Sequence, residues 1–272
     1  MTTNSNTPPT LGIILCAVLE EEFRHYAKAM PHVAKLVVLE QGLHNEPAKL
    51  RATLQAAIDD MESDPHIQAI ALGYGLCSRG SDGVFAHRCR LAIPRAHDCI
   101  TILLGDKDRY QRYMDGNAGT YWYSPGWNKH HIPPGQQRYE KLLKQYVDAY
   151  GQDNAEFLME SEQHWFKTYT RATYVHLGVG QTPADIAFTQ ECAKWLKWEF
   201  DMQEGDPSLL LALLGGNWDA ERFVVVEPGE AIRMTGDIDV MTAGPHLEKT
   251  EPAQTHLPIL HEEGSHGPAH SR

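Results

Sequence analysis

Short apolar runs rich in Val, Ile and Leu alternate along this chain with segments of helical periodicity. Six runs predict buried β-strands, at residues 11–16, 35–39, 67–72, 90–93, 173–177 and 222–226. Between the second and third runs, Leu50, Leu54, Ile58 and Met61 fall on one face of a predicted helix. Strands that alternate with helices predict βαβ units, so we expect an α/β fold: a mainly parallel sheet with flanking helices, of the Rossmann-like kind.

Capping residues mark several of the predicted helices. Thr182-Pro183 opens a helix whose apolar face runs through Ile186 and Leu196 to Phe200. Asp206-Pro207 opens another, over residues 208–214, and Gly215-Gly216 ends it. Gly-x-Gly turns at residues 73–75 and 178–180 both follow predicted strands, which suggests two related halves.

The two ends of the chain lack this pattern. Residues 1–10 are polar and predict a disordered lead, and residues 243–272 are rich in Pro, His, Glu and Gly, which predicts a disordered tail. Residues 11–242 are therefore expected to form the α/β domain that carries catalysis or metal binding.

Charge and composition exclude several partners. The formal net charge of −12 argues against nucleic acid and against anionic membranes, and no apolar stretch approaches the length of a membrane span. The N-terminus has no signal-peptide pattern, and the five cysteines are an odd number scattered through a chain long enough to form a core. We therefore predict a cytoplasmic protein whose thiols stay reduced.

Soft metal ligands follow three of the predicted strands. Cys16 closes the first strand, Cys77 lies in the turn after the third, and His97 and Cys99 follow the fourth. Carboxyl ends of parallel strands meet at one edge of a sheet, so we expect these side chains to converge. Thiolate and imidazole together suit zinc or an iron–sulfur cluster.

Other interpretations of these residues stay open. The chain has no CxxC or HExxH motif, and a single cysteine is more often a small buried apolar residue. His44 also follows a strand and could reach the same cleft. Asp98 is a candidate cap for a helix over residues 99–104, whose dipole would favour the Cys99 thiolate. A metal-free catalytic Cys99 acting with His97 ranks last, because residues two apart on a helix do not face each other. Cys89 and Cys192 are interpreted as structural.

An aromatic segment lies in the middle of the chain, among glycines and prolines. It contains Tyr110, Tyr113, Tyr121, Trp122, Tyr123 and Trp127. We interpret it as a loop that forms a lid, with Tyr121, Trp122 and Trp127 contacting a cofactor. The alternative is that these rings only cover the core.

Five segments together resemble a known family. QGLHNEPAKL, GYGLCSRG, IPRAHDCITILLG, GTYWYSPGW and LLGGNWDAERFVVVEPG are similar to those of a bacterial and archaeal domain of unknown function, over residues 11–232. Members of that family are often encoded beside corrinoid proteins and corrinoid-dependent methyltransferases, so the resemblance implies one-carbon metabolism.

Two functions follow as hypotheses. The first is a zinc-dependent methyltransferase that moves a methyl group between a corrinoid protein and a small acceptor such as a folate. Cys77, His97 and Cys99 would hold the metal, with Cys16 as the fourth ligand, and the aromatic segment would shield the acceptor. The alternative is a metal-binding or iron–sulfur accessory protein that serves electron transfer or corrinoid reactivation.

Overall fold

A five-stranded sheet forms the centre of the larger part of the protein. The computed structural model describes residues 8–246, so most of the predicted lead and tail lies outside the described residues. The strands are β1 (Leu11–Cys16), β2 (Val33–Leu39), β3 (Ala69–Gly73), β4 (Arg90–Pro94) and β8 (Phe223–Val226). Their order across the sheet is β2-β1-β3-β4-β8, in which β8 alone runs antiparallel to its neighbour.

A second, smaller sheet is entirely parallel. Its strands are β5 (Thr120–Tyr123), β6 (Arg171–His176) and β7 (Glu199–Glu204), in that order. An antiparallel hairpin of β9 (Glu230–Met234) and β10 (Met241–Pro245) completes the strands of the described part. Ordered chain therefore continues through residues 243–245, the first positions of the predicted tail.

Helices flank both sheets. Those of the described residues are α1 (Glu20–Ala27), α2 (Pro47–Glu62), α3 (Cys99–Leu104), α4 (Lys107–Gly116), α5 (Pro125–His130), α6 (Gln136–Tyr150), α7 (Gln152–Gln163), α8 (Pro183–Leu196) and α9 (Ser208–Gly215). None of these helices is long and apolar enough to cross a membrane. The architecture confirms the predicted α/β class with a mainly parallel sheet and flanking helices.

The core lies between the large sheet and its helices, as the apolar pattern predicts. Leu50, Leu54, Ile58 and Met61 of α2 are all buried. Gly12 of β1 lets α2 approach closely, because a Cβ atom at that position would lie 2.6 Å from the Met61 sulfur. This packing places α2 directly against β1, which lies between β2 and β3 in the sheet.

The aromatic segment is not the loop that its glycines and prolines predict. Tyr110 and Tyr113 lie on α4, residues 120–123 form β5, and Trp127 lies on α5. Tyr and Trp have high β-propensity, which favours the strand. Gly119, at φ +81°, precedes the strand, and Pro125 begins the helix after it, so both residues mark its ends.

The helix opened by Thr182 is shorter than its apolar face predicts. It ends at Leu196, where Lys197 adopts a left-handed conformation (φ 59°). Phe200 therefore belongs to β7, where it packs in the core of the small sheet together with Tyr123 and Tyr174.

Close backbone packing joins the two sheets. Gly126 of α5 lies against the short 3₁₀ turn Ala17–Leu19 that follows β1, and a Cβ atom there would meet the Val18 carbonyl oxygen at 1.9 Å. Lys129 of the same helix forms an ion pair of 2.5 Å with Glu21 of α1. As a result, the Trp127 side chain of α5 lies beside the carboxyl end of β1.

Candidate metal centre

Three thiols and one imidazole meet at the carboxyl edge of the large sheet. Cys16 ends β1, and His44 lies in the 3₁₀ turn Gln41–Asn45 after β2. Cys77 follows β3, and Cys99 begins α3 after β4. We call these four residues the thiol–imidazole cluster. Each comes from a different parallel strand, and the four strands are adjacent in the sheet.

The distances within the cluster are short. The Cys16 Sγ atom lies 3.3 Å from His44 Nε2. The potential ligand atoms of Cys16, His44 and Cys99 all lie within 4.8 Å of one another. Cys77 is not part of that group of three, but it lies close enough to Cys99 and His44 to interact with both side chains.

The sequence-predicted ligands are only partly brought together. Cys16, Cys77 and Cys99 converge, whereas His97 lies in the wall of the adjoining cavity, with its ring 6.5 Å from that of Tyr110. The position in the cluster that the sequence analysis gave to His97 is held by His44. The order of the strands explains this, because β2 lies next to β1 and brings its following turn to the Cys16 sulfur.

Backbone hydrogen bonds join the loops after β3 and β4. The Leu76 N–H donates to the Ala96 carbonyl at 2.8 Å, and the Cys77 N–H donates to the His97 carbonyl at 2.9 Å. Gly75 permits this approach, because a Cβ atom there would lie 2.7 Å from the Ala96 carbonyl oxygen. His97 thus helps to position Cys77 through its backbone.

Cys77 itself has an unusual backbone conformation. Cys77, Ser78 and Arg79 have φ values of 47°, 54° and 70°, the left-handed region that residues other than glycine rarely adopt. Three such residues in succession cost free energy, and conformations of this kind cluster at binding and catalytic sites. The turn carries the Cys77 thiol into the cluster.

Asp98 fixes the start of the helix that carries Cys99, as its position predicts. Its Oδ1 accepts hydrogen bonds from the N–H groups of Ile100 and Thr101, at 3.0 and 3.2 Å. Its Oδ2 accepts a hydrogen bond from the Tyr110 hydroxyl at 3.4 Å. Burial raises the pKa of the carboxyl group, while these backbone hydrogen bonds act in the opposite direction.

The cluster favours thiolate at two of its sulfurs. Hydrogen bonding from Cys99 and the proximity of His44 outweigh burial and lower the pKa of Cys16 to about 5. The same two neighbours lower the pKa of Cys77 to about 6. Burial alone would lower the pKa of His44, but Cys16 and Cys77 raise it to about 10. Thiolate is the form of cysteine that binds metals.

Cys99 behaves differently from the expectation based on its helix. Its hydrogen bonds to Cys16 and Cys77, together with burial, raise its pKa well above the ordinary value. Two neighbouring thiolates outweigh the dipole of a helix of six residues. Cys99 therefore favours the protonated thiol, whereas Cys16 and Cys77 favour the thiolate.

The donor set fits a thiophilic metal ion. Zn²⁺ takes four cysteine or histidine ligands in tetrahedral geometry, with Zn–S near ~2.3 Å and Zn–N near ~2.0 Å. Such ligand atoms lie within a few ångströms of one another, as they do around Cys16, His44 and Cys99. This group of three contains no carboxylate, the side chain that Mg²⁺ or Ca²⁺ sites usually include.

Cys89 and Cys192 lie apart from the cluster. The Cys89 thiol donates to the Ile67 carbonyl at 3.4 Å, and its N–H donates to the buried Glu62 carboxylate. Cys192 lies on α8 and packs against Gly135, and burial raises the pKa of its thiol to about 11. Both are structural residues and serve as internal controls.

A cavity of about 790 Å³ opens directly above the cluster. Cys77, Cys99 and His44 form part of its floor, and His97 and Asp98 adjoin them. Its aromatic wall consists of Tyr110, Tyr121, Trp122, Trp127 and Tyr169. We call the space between this wall and the floor the aromatic cavity.

The three predicted cofactor-contacting aromatics all line this cavity but differ in burial. Trp122 is only 9% exposed and packs on Tyr110 and Tyr113, at ring-centroid distances of 6.1 and 4.8 Å. Trp127 is half-buried, and its ring lies 4.6 Å from that of His131. Tyr121 contacts Tyr169 edge-on at 5.5 Å. Trp122 thus combines the two roles that the sequence left open, cavity wall and core.

Fold and site together define an α/β protein with a candidate thiol–imidazole metal centre beneath an aromatic cavity. The chain belongs to the family described as proteins of unknown function, DUF1638, whose model matches residues 38–214, more than half of the sequence. This match confirms the resemblance inferred from the motifs. His44, Cys77 and Cys99 lie within the matched range, and Cys16 precedes it. Comparisons with curated proteins and with solved structures give no match.

Proposed function

We propose that the thiol–imidazole cluster binds one Zn²⁺ ion and that the bound ion serves a methyltransferase reaction in the aromatic cavity. The observation that carries this proposal is the convergence of three thiols and an imidazole, from four adjacent strand ends, on the floor of a cavity. Nothing about the core of a chain of this size requires a metal for stability, so a metal bound there would serve function.

A single ion is favoured over a cluster of iron atoms. An iron–sulfur cluster spreads its cysteine ligands around several metal atoms, whereas one zinc ion gathers them around a point. The close grouping of Cys16, His44 and Cys99 supports the second arrangement. The depressed pKa values of Cys16 and Cys77 supply two thiolates at neutral pH, whereas a bound metal would displace protons from His44 and Cys99, whose pKa values are raised.

We infer methyl transfer because it is a reaction that a zinc site of this kind can support and that the resemblance to a family encoded beside corrinoid enzymes implies. Zinc held by thiolates and imidazole lowers the pKa of a bound acceptor and orients it. The methyl group would pass between a corrinoid protein and a small molecule in the aromatic cavity. In transfer from methylcob(III)alamin to a thiol, the cobalt–carbon bond would break and cobalt would keep the electron pair as cob(I)alamin, while the sulfur would form a bond to the methyl carbon and release its proton to solvent.

The alternative is a metal-binding or iron–sulfur accessory protein for electron transfer or corrinoid reactivation. The three cysteines of the thiol–imidazole cluster support this alternative, because thiolates are the usual ligands of iron–sulfur clusters. We further propose a cytoplasmic location, since all five cysteines are free thiols, the state that a reducing compartment preserves.

Metal analysis of anaerobically purified protein tests the site. We expect one zinc ion per chain in the wild type and loss of most of it in Cys16→Ser, Cys77→Ser and His44→Ala. The controls Cys89→Ser and Cys192→Ser change buried thiols outside the cluster and should retain the metal. His97→Ala should also retain it, because its imidazole lies in the cavity wall. Equal metal content in all variants would remove the proposed site.

Two spectra separate the alternatives. A colourless zinc protein that turns blue-green on replacement of zinc by Co²⁺ supports a single thiolate-rich ion. Broad visible absorbance of the protein as isolated, accompanied by iron, favours the accessory protein instead.

Activity is then tested with methylcobalamin and three acceptors: a thiol, a tertiary amine and a reduced folate. Methyl transfer releases cob(I)alamin, which is followed by its absorbance under anaerobic conditions. The activity should require the metal and fail in Cys77→Ser. Release of cob(I)alamin at the same rate without bound metal would refute the methyltransferase proposal.

A further inference from the structure

The charge distribution of the aromatic cavity limits what it can bind. No lysine or arginine lines it among the described residues, and Asp98 is the carboxylate in its lining. The chain as a whole has a net charge of −12. His44 is already paired with the thiols of Cys16 and Cys77, so a phosphate or a polycarboxylate would enter without a lysine or arginine to neutralise it, at a high cost of desolvation.

The aromatic wall of the cavity favours positively charged ligands. Five aromatic rings line it, and the faces of Tyr and Trp rings attract positive charge through their quadrupole. Tyr110 and Trp122 stack with an interplanar angle of 25°, and Tyr121 and Tyr169 form a second aromatic pair. The rings come from three different elements and a loop, so they surround the space from several sides.

The floor adds to this preference, and here the inference rests on the proposed function. Three thiolates and one neutral imidazole around Zn²⁺ carry a net charge of −1. The Asp98 oxygens are directed to the N–H groups of Ile100 and Thr101 and to the Tyr110 hydroxyl. The attraction for a cation therefore comes mainly from the rings and the metal centre.

We propose that the aromatic cavity binds a small organic cation, with a quaternary ammonium or sulfonium group held against the rings of Trp127, Tyr121 and Tyr110. Such a group spreads its charge over methyl substituents, so it loses little hydration on entering an apolar cavity. The volume of about 790 Å³ leaves room for the remainder of the molecule. This substrate class excludes folates, whose glutamate carboxylates are negative.

Three probes of one shape and different charge test the proposal. Choline carries a trimethylammonium group, 3,3-dimethylbutan-1-ol replaces its nitrogen by carbon, and 3,3-dimethylbutanoate is an anion of similar size. We expect the zinc-loaded protein to bind choline at least tenfold more tightly than the alcohol and to show no binding of the anion, as measured by calorimetry or by NMR line broadening.

Two tryptophan variants show whether the cavity is the site. Trp127→Leu keeps an apolar side chain but removes the aromatic face, so it should abolish the preference for choline over the alcohol. Trp195→Leu is the matched control, since Trp195 lies partly exposed on α8 outside the cavity and contacts Tyr139. It should bind all three probes as the wild type does.

Metal content of the same samples separates the two proposals. Zinc-loaded protein that binds choline and the alcohol equally, or prefers the anion, overturns the cation inference and leaves the metal site intact. A preference for choline in protein that never binds zinc supports the cavity inference and refutes the proposed metal function. An equal effect of Trp127→Leu and Trp195→Leu also overturns the inference.

Discussion

The floor and the wall of the aromatic cavity are built in contrasting ways. The floor consists of cysteine and histidine side chains, each placed by the end of a parallel strand of the large sheet. The wall consists of large rings from α4, β5, α5 and the segment before β6. The positions of the floor residues are fixed by backbone pairing in the sheet, whereas those of the wall depend on side-chain packing.

Under the proposed function, this difference assigns metal binding to the floor and ligand recognition to the wall. A ligand set needs fixed distances of a few ångströms, which adjacent strands of one sheet provide. A wall of rings depends on side-chain packing and tolerates small shifts in position. Substitutions in the wall should therefore alter stability and ligand preference, and those in the floor should alter metal content.

The largest effect on folding is expected in the wall. Trp122→Ala removes a ring that is 9% exposed and packed on Tyr110 and Tyr113, so it should lower the free energy of unfolding by about 3–5 kcal/mol. Trp127→Ala, at a half-buried position, should cost clearly less. Chemical denaturation of both variants checks this, and equal losses would show that Trp127 is a core residue too.

The next effect concerns a buried acid beside the junction of floor and wall. Glu22 of α1 is 1% exposed, neither carboxylate oxygen has a hydrogen-bond partner, and burial raises its pKa from 4.5 to about 7. Neighbouring Glu21 also raises this pKa, Lys129 lowers it, and Tyr174 lies within range of its charge. The folded protein therefore keeps a proton on Glu22 that the unfolded chain releases at lower pH.

The sign of the pH dependence follows from that proton. Stability from Glu22 is fully present below about pH 4.5 and is lost as the pH rises through about 7, by roughly 3 kcal/mol in total. Glu22→Gln should remove this loss, so the variant should be more stable than the wild type at pH 8. Denaturation curves across pH test the difference, with the surface variant Glu20→Gln as control. Parallel curves for the Glu22 variant and the wild type would contradict it.

A smaller effect is expected where the wall meets the floor. Gly126→Ala places a methyl group on the Val18 carbonyl oxygen, so α5 must move away and the protein should lose about 1–3 kcal/mol of stability. Gly116→Ala is the matched control, since nothing lies within 4 Å of its Cβ position. Thermal melts of the pair test this, and two equal melting temperatures would mean that the contact does not hold α5.

The smallest effect on stability is expected at the start of α8, the helix that packs on the small sheet. Thr182 and Asp185 form a capping box at the start of α8, with hydrogen bonds of 3.2 and 2.9 Å. Thr182→Ala should cost about 1 kcal/mol of stability, while Thr182→Ser should retain most of it. Metal content should be unchanged in both. A cost as large as that of Trp122→Ala would show that the two sheets depend on each other more strongly than their contacts indicate.

The sequence predicts the residues of the floor better than it predicts the secondary structure of the wall. Apolar runs locate the strands, and a parallel sheet brings their following residues together, which is why Cys16, Cys77 and Cys99 are found near one another. The choice between His44 and His97 depends on strand order and on the direction of a short turn. Neither is encoded in the local pattern of a single sequence.

The secondary structure of the wall departs from the sequence pattern for a different reason. Residues 120–123 have the β-propensity of a strand, but the glycines and prolines around them are typical of a loop. Strand β7 (EFDMQE) is largely polar and is stabilised by pairing with β6, which no local pattern reveals. The burial of Glu22 breaks the rule that a run of three glutamates is solvated.

The backbone hydrogen bonds around Gly75 have a consequence for how the proposed metal centre would assemble. They connect the loop that carries Cys77 to the loop that leads to Cys99, so local unfolding of one requires release of the other. The two ligands should therefore exchange between closed and open states together, and the Leu76 and Cys77 amides should share one rate of hydrogen exchange. Metal capture would then begin from an assembled half-site, with little ordering entropy left to lose.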